Sequence, residues 1–381
     1  IRSRKAKDWL RGRKNTWNDL DRLDDRPVLW FHCASLGEFE MGKPVMEQLL
    51  EERPELQLLV TFFSPSGYFY RKEYEKASVV TYLPVDNPRN ARRFLDKADP
   101  VMAVFVKYDL WHFYLRELVA RDTPYFLMSA TFRKNHQYFK NRFFRRMLED
   151  ATDVFVQDEH SLKLLDKHGL QGQQTGDTRC DRVIHISENP DSHAVIQQFC
   201  ADQFVLMAGS SWAKEEAILA IVHQQRPDLR MIIAPHNISE GHLKQIEGRF
   251  GDAIGRLSEG ISENPVLLVD QIGLLASLYQ YADVAFVGGG YTGALHNILE
   301  PAAHGTPVCF GPKHERFHEA EALINRGGAI VIKNASELVS LIDHYQDDPE
   351  EQAEAGAAAK DYIWSNRGAT EKVAQALLEY L

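Results

Sequence analysis

Four cysteines in 381 residues, Cys33, Cys180, Cys200 and Cys309, stand far apart and form no Cys-x-x-Cys pair. That scarcity excludes a disulfide framework and a cysteine-rich zinc site, and it points to a reducing compartment. No apolar run approaches the roughly 18 residues that a membrane-spanning helix needs. Low-complexity tracts are missing as well, which excludes a fibrous or disordered chain. So is a basic excess: the formal net charge is −10, which argues against nucleic acid as a partner.

What is present is enough apolar sequence for two cores. The chain is 44% hydrophobic and 26% charged, and its length suits two domains of about 150 to 200 residues. The runs "PVLWFHCAS", "LQLLVTFFS", "SVVTYLP", "PVMAVFVK" and "TPYFLMSA" read as strands, most of them followed by helical patterns such as 38–52 and 110–121. A second series, "QFVLMAGS", "RMIIAP", "PVLLVD", "DVAFVGGG", "TPVCFGP" and "GAIVIK", follows the turn-forming cluster "SENPDSH" at 187–193. Strands alternating with helices predict an α/β protein of two doubly wound, Rossmann-like domains. We place them at 26–187 and 194–381, with ligands expected in a cleft at the carboxyl ends of the strands.

Residues 1–25 differ. Seven of the first fourteen are Lys or Arg, with Trp9 and Trp17 among or beside them, as expected of a segment lying on an anionic lipid surface. A solvated terminal helix would read the same way. The first residue is Ile, and we expect residues upstream, where a membrane anchor would sit.

Two stretches carry candidate chemistry. In "DVAFVGGGYTGALHNILEPAAHGTPVCFGP" a buried strand runs into Gly288, Gly289 and Gly290, which let the backbone approach a ligand and present N–H groups to an anion. Pro301 suits a first helical turn, which predicts a helix starting near Asn297 with that residue as its cap. Glu300 in that turn would accept bonds from paired hydroxyls, or would simply complement the helix dipole. In "HCASLGEFEMGKP" the strand ends at Ser35 and Gly37 allows a turn that sets Glu38 at the start of the next helix. A carboxylate there could act as a general base in the cleft, or serve only the dipole.

These residues belong to a wider set. "SLGE" (35–38), "KYDLW" (107–111), "TGDTRCD" (175–181), "SSWAKEE" (210–216), "APHN" (234–237) and "HNILEPAAHGTPVCFGP" (296–312) occur in an order and spacing that resembles the 3-deoxy-D-manno-octulosonic acid (Kdo) transferases of lipopolysaccharide biosynthesis. The resemblance runs from about residue 26 to the end. It implies the two-domain GT-B glycosyltransferase fold, with an amino-terminal acceptor domain and a carboxyl-terminal donor domain. It also implies CMP-Kdo as donor, the lipid A precursor (lipid IVA) as acceptor, and a place on the cytoplasmic face of the bacterial inner membrane.

Residue by residue, the resemblance makes Glu38 the catalytic base, with Ser35 and Gly37 on the acceptor side. Asp109, where the family usually has Glu, and Arg179, where it usually has Lys, would stabilise the transition state; charge sign survives both changes, reach and geometry do not. Pro235 and His236 match a Pro-Arg that contacts CMP, and His for Arg would make phosphate binding more pH-sensitive. Ile272, Gly273 and Leu274 match a Met-Gly-Glu contact whose Glu is lost here. Asn297, Ile298, Leu299 and Glu300 match the donor-binding Asn-x-Leu-Glu. We expect no metal ion, because no Asp-x-Asp pair stands between a strand and a loop.

Competing readings are another GT-B nucleotide-sugar transferase, a binding module without catalysis, and a zinc hydrolase. The last rests on "HERFH", 314–318, which fits the His-Glu-x-x-His pattern only if both histidines share one helix face.

Overall fold

Each predicted strand is an uninterrupted apolar run because both faces of a parallel sheet are covered by helices. In the computed structural model, which describes residues 13–107, 109–260 and 263–381, all six residues of β1 (Val28–Cys33) and of β2 (Gln57–Phe62) are buried. With β3 (Val79–Tyr82), β4 (Pro100–Val106), β5 (Tyr125–Ala130), β6 (Asp153–Val156) and β7 (Gln173–Gln174) they form a seven-stranded sheet of order β3-β2-β1-β4-β5-β6-β7. Every pairing in it is parallel. Strand order reverses between β1 and β4, so the loops after those two strands open a crevice at the sheet's carboxyl edge. From these loops start α1 (Leu36–Glu52) and α2 (His112–Ala120).

The second sheet is built alike. Its strands are β8 (Val205–Ser211), β9 (Arg230–Pro235), β10 (Ile254–Arg256), β11 (Val266–Leu268), β12 (Val284–Val287), β13 (Val308–Phe310) and β14 (Ala329–Val331), in the order β10-β11-β9-β8-β12-β13-β14. Its reversal lies between β8 and β12. Helix α3 (Thr178–Glu188) carries the chain toward this sheet, α4 (Ala213–Gln225) follows β8, and α5 (Leu299–His304) follows β12. Strands β6, β7 and β10, not assigned from the sequence, are short.

The domain boundaries need correction. The described residues up to Asp181 form one compact unit together with Asn366–Leu381, and Arg182–Ser365 form the other. The first unit thus ends six residues before 187, and the last sixteen residues leave the expected 194–381 domain. The reason is specific: Val373, Ala374 and Leu377 of the terminal helix Ala369–Leu378 join the buried cluster of Phe31, Phe39 and Val45. Asp181 completes the attachment by accepting the backbone N–H groups of Gly368 and Thr370, each at 2.7 Å.

Residues 13–20 are helical and pack on the first unit. Arg13 Nε donates to the Leu83 carbonyl at 3.0 Å, Thr16 Oγ1 to that of Tyr82 at 2.9 Å, and Leu20 is buried. Trp17, expected on a lipid surface, packs against the core instead, with the Arg93 guanidinium 4.1 Å from its ring centre. Trp9 and most of the basic cluster lie outside the described residues.

The two kinds of glycine predict opposite responses to a methyl group. A Cβ on Gly288 would sit 2.1 Å from the Ser210 carbonyl oxygen, a backbone atom that cannot step aside, whereas one on Gly37 meets nothing within 4 Å. We predict that Gly288→Ala costs at least about 1 to 3 kcal/mol and that Gly37→Ala is neutral or stabilising by up to about 1 kcal/mol. Chemical denaturation of the two variants checks this; equal effects would contradict the close-approach role of Gly288.

Candidate functional site

Glu38 is the third residue of α1. Ser35 is the N-cap, and its hydroxyl takes the Glu38 N–H at the long distance of 3.5 Å. The Glu38 carboxylate reaches back to accept the backbone N–H of Ala34. Ser-x-x-Glu is the usual arrangement of a reciprocal helix start, so Glu38 does serve the helix. Gly37 makes no turn, contrary to expectation: it lies inside the first helical turn, and its missing side chain leaves open space there.

Serving the helix does not keep this carboxyl acidic. Burial is the main cause that lifts Glu38 from 4.5 to about 7, and the Asp109 charge adds to it; Lys107 and the backbone N–H groups of Ala34 and Ser35 act against the rise. A carboxyl near 7 is matched to taking a proton at neutral pH.

Asp109 follows β4 across the switch point, and its Oδ2 lies 3.2 Å from Nε2 of the fully buried His32. Lys107 sits at the strand's end with φ 64°, in the left-handed region, which costs a residue with a side chain about 1 to 2 kcal/mol. Its charge acts on Glu38 and also on Asp177. Arg179 turns its guanidinium onto Asp177, with Nη2 2.6 Å and Nε 3.1 Å from Oδ2. Burial works against the Asp177 charge, yet Arg179, by charge and hydrogen bonds, and Lys107 hold it below the ordinary carboxylate range. Glu38, Asp109, Lys107, Asp177 and Arg179 thus stand at the carboxyl edge of one sheet. Lys107 and Asp177 were present in quoted motifs but not singled out; their signal was their place at a strand end and before Arg179.

In the second unit the switch point is aromatic. His236, just past β9, stacks on Trp212 with ring centres 4.3 Å apart, and His296 lies 4.6 Å from His236. Trp212 Nε1 donates to His296 Nε2 at 2.9 Å. Burial lowers His236, and burial together with the His236 charge lowers His296 to about 4. His236 is therefore neutral at pH 7, and its charge appears only on the acid side. Trp212 and His296 stand in the motifs at 210–216 and 296–312 but were not singled out, because stacking partners far apart in the chain leave no spacing to detect.

The glycines serve the turn itself. Gly288 donates its N–H to the Gly209 carbonyl at 2.9 Å, and Gly289 donates to Glu215 Oε1 at 2.9 Å. These two amides are taken up within the protein rather than presented to an anion. Gly290 instead lets the chain pass Gly311, whose N would be 2.4 Å from an added Cβ. The helix after the turn begins at Leu299, not at Asn297, with Ile298 as N-cap. Asn297 still caps it, since its Oδ1 accepts the Leu299 N–H at 3.2 Å while its Nδ2 donates to Glu300 Oε1 at 2.9 Å. Ile298 and Leu299 are 1% and 0% exposed, so their side chains belong to the core and not to a ligand surface. Pro235 ends β9; Ile272 is 83% exposed on a loop, next to Gly273 at φ 93° and Leu274 at a helix start.

"HERFH" does not form a metal-binding helix. His314 stands in a turn and His318 opens the following helix, His318–Asn325, so the two cannot share a helix face four residues apart. Among the described residues no three His, Cys, Asp or Glu side chains cluster so as to hold a metal ion, and no helix is long and apolar enough to cross a membrane.

The protonation of Glu38 is coupled to folding stability. Its raised value means that the fold favours the neutral carboxyl; that stability is fully present below about 4.5 and is lost as pH rises through about 7. The preference is at most about 3 kcal/mol, larger than the 0.3 to 1 kcal/mol of dipole interaction that a neutral side chain forfeits. We predict that Glu38→Gln melts above the parent protein at pH 8 and at or slightly below it at pH 5. A pH-independent offset would show that burial does not govern this group.

The family model described as 3-deoxy-D-manno-octulosonic-acid transferase (kdotransferase) matches residues 10–182. The 3-deoxy-D-manno-octulosonic acid transferase of Chlamydophila psittaci is 28% identical over 346 residues, covering 86% of this chain and 79% of that protein. The enzyme of the same description from Rickettsia bellii is 25% identical over 382 residues, covering 94% and 88%. Among solved structures, UDP-GlcNAc 2-epimerase from Neisseria meningitidis bound to UDP-GlcNAc superposes with a TM-score of 0.64 at 15% identity, over 92% of this chain and 99% of that one, a likeness of fold alone. With two Rossmann-like parallel sheets of the GT-B class and Kdo transferases aligned along most of its length, the chain is similar to the Kdo transferase family of glycosyltransferases in both fold and sequence.

Proposed function

We propose that this protein transfers Kdo from CMP-Kdo to the lipid A precursor in lipopolysaccharide biosynthesis, with Glu38 as the general base. The carrying observation is the buried carboxyl at the β1/β4 switch point, lifted to about 7 beside Asp109 and Lys107. In the reaction Glu38 removes the proton from an acceptor sugar hydroxyl as that oxygen attacks the anomeric carbon of Kdo. The bond from that carbon to the phosphate oxygen breaks, and CMP leaves with the electron pair. Asp109 favours the step electrostatically, because its repulsion of ionised Glu38 disappears once Glu38 holds the proton. Lys107, and Arg179 in its pair with Asp177, provide positive charge for the carboxylate of Kdo and the departing phosphate.

Donor binding is assigned to the second unit, around Pro235, His236 and the Asn297–Glu300 pair. His236, neutral at pH 7, contributes its stacked ring and gains charge on acidification, so CMP should bind more tightly as pH falls below the ordinary histidine value. The Lys and Arg cluster at the amino end supports docking on the anionic, cytoplasmic face of the inner membrane, where such an acceptor would be met.

Glu38→Gln should lower turnover by about 10² to 10⁴-fold while CMP affinity, measured by calorimetry, stays the same. Glu300→Ala should instead weaken CMP by about 1 to 3 kcal/mol, the range for losing a hydrogen-bonded charge. A fully active Glu38→Gln enzyme would move the base elsewhere, and tighter binding of UDP than CMP would assign the site to another nucleotide sugar.

Transfer should proceed without a metal ion, since protein cations can meet a single phosphate. Activity lost in EDTA and restored by Mg²⁺ would overturn that expectation.

A further inference from the structure

One buried side chain at the switch point faces more partners than it can satisfy. His32, at the end of β1, is fully buried. Its Nε2 lies 2.9 Å from Trp111 Nε1 and 3.2 Å from Asp109 Oδ2, while its Nδ1 lies 2.9 Å from Thr61 Oγ1. The indole N–H can only donate and an ionised carboxylate can only accept. One nitrogen cannot serve both. If Nε2 is bare it takes the Trp111 hydrogen, and Asp109 faces a lone pair. If Nε2 carries a proton it donates to Asp109, and Trp111 must turn to solvent.

Thr61 permits either arrangement. Its oxygen already accepts the Trp30 indole N–H at 2.8 Å, and its own hydrogen can point toward the Phe31 carbonyl, 3.4 Å away, or toward His32 Nδ1. The hydroxyl therefore accepts from Nδ1–H or donates to bare Nδ1 by rotating one hydrogen. Between the two, the bond to a charged carboxylate is about twice as strong as the neutral one to Trp111. Trp111 is only partly buried and stacks on Phe63 with ring centres 5.0 Å apart, so a rotation of the indole within the stacking plane carries its N–H from Nε2 to water while the contact with Phe63 is kept.

We propose that His32 is a positioning residue whose Nε2–H holds the Asp109 carboxylate in place beside Glu38, with Trp111 as the competing partner for the same nitrogen. The proposal rests on the reading of Glu38 as the base. Asp109 acts on Glu38 through space, so the base is tuned only as long as Asp109 is kept from swinging into solvent. The charged and titratable groups that bear on Glu38 are Asp109, Lys107 and, on β1 behind it, the Cys33 thiol, which burial and then Glu38 push far up. Of these, His32 touches Asp109.

The test is the pH profile of kcat/KM for Kdo transfer in four proteins. Glu38 gives the parent an acidic limb near pH 7. In His32→Phe, which keeps a ring and loses both nitrogens, the limb should move to lower pH and kcat should fall at least about tenfold with KM and CMP affinity little changed. His32→Gln, which can still present an N–H, should restore much of both. A His32→Phe enzyme with the parental limb and kcat overturns the proposal. Glu38→Gln in the same series separates the two readings: if it retains the limb, Glu38 is not the base, whatever His32 does. A measurement on the unaltered protein covers failure to fold and stands apart from the role of Glu38. In ¹⁵N NMR the His32 Nε2 should be protonated at neutral pH, and a bare Nε2 would overturn the proposal.

Discussion

Removing the Glu38 carboxylate from water is the constraint on which the first unit's site depends. The Ala34 N–H and the amino end of α1 offset only part of that cost, and Asp109 adds to it. Because the offset is incomplete, the group rests near 7 rather than near 4.5. Helix start and raised carboxyl are thus one arrangement: the bonds that fix Glu38 in place stop short of making it a strong acid. Lys107 completes the balance, and its left-handed backbone persists because β4 before it and its N–H bond to the Met128 carbonyl, at 2.7 Å, leave it no alternative.

The second unit uses the same device for a different end. Glu215 is the third residue of α4, as Glu38 is the third of α1, and each helix follows the strand at its sheet's switch point. Glu215 is fully buried and accepts the N–H groups of Gly289, at 2.9 Å, and Trp212, at 3.3 Å. Those bonds close the glycine turn and leave the carboxylate no room to meet a substrate. Glu38 differs in being partly exposed beside the open space at Gly37. Access to solvent, not residue type or place in the helix, separates the two carboxylates.

Strand and helix order was legible because apolar runs and amphipathic periods are local properties. Glu38 was legible as a strand-end carboxylate for the same reason, whereas Asp109 and the family came from the resemblance carried by the motif order. Strands β7 and β10 were not legible, since Gln173–Gln174 and Ile254–Arg256 carry no apolar run for a local pattern to show, and β6 was left out with them. The same limit hid the return of the terminal helix: an amphipathic helix with Val373, Ala374 and Leu377 on one face fits either sheet, and the contact with Phe39 and Val45 selects one.

The sequence by itself determined two parallel α/β sheets, the turns that follow their strands, and the residue types available at each strand's carboxyl end, because backbone conformation and burial periodicity follow from neighbours in the chain. Tertiary structure alone decided what those residues became. Ile298 and Leu299 went to the core, and the Gly288 and Gly289 amides were spent on Gly209 and Glu215. Arg179 was paired with Asp177, and His32 was set between Asp109 and Trp111, 77 and 79 residues away in the chain. Protonation, pairing and exposure depend on distances across the sheet that no linear spacing encodes.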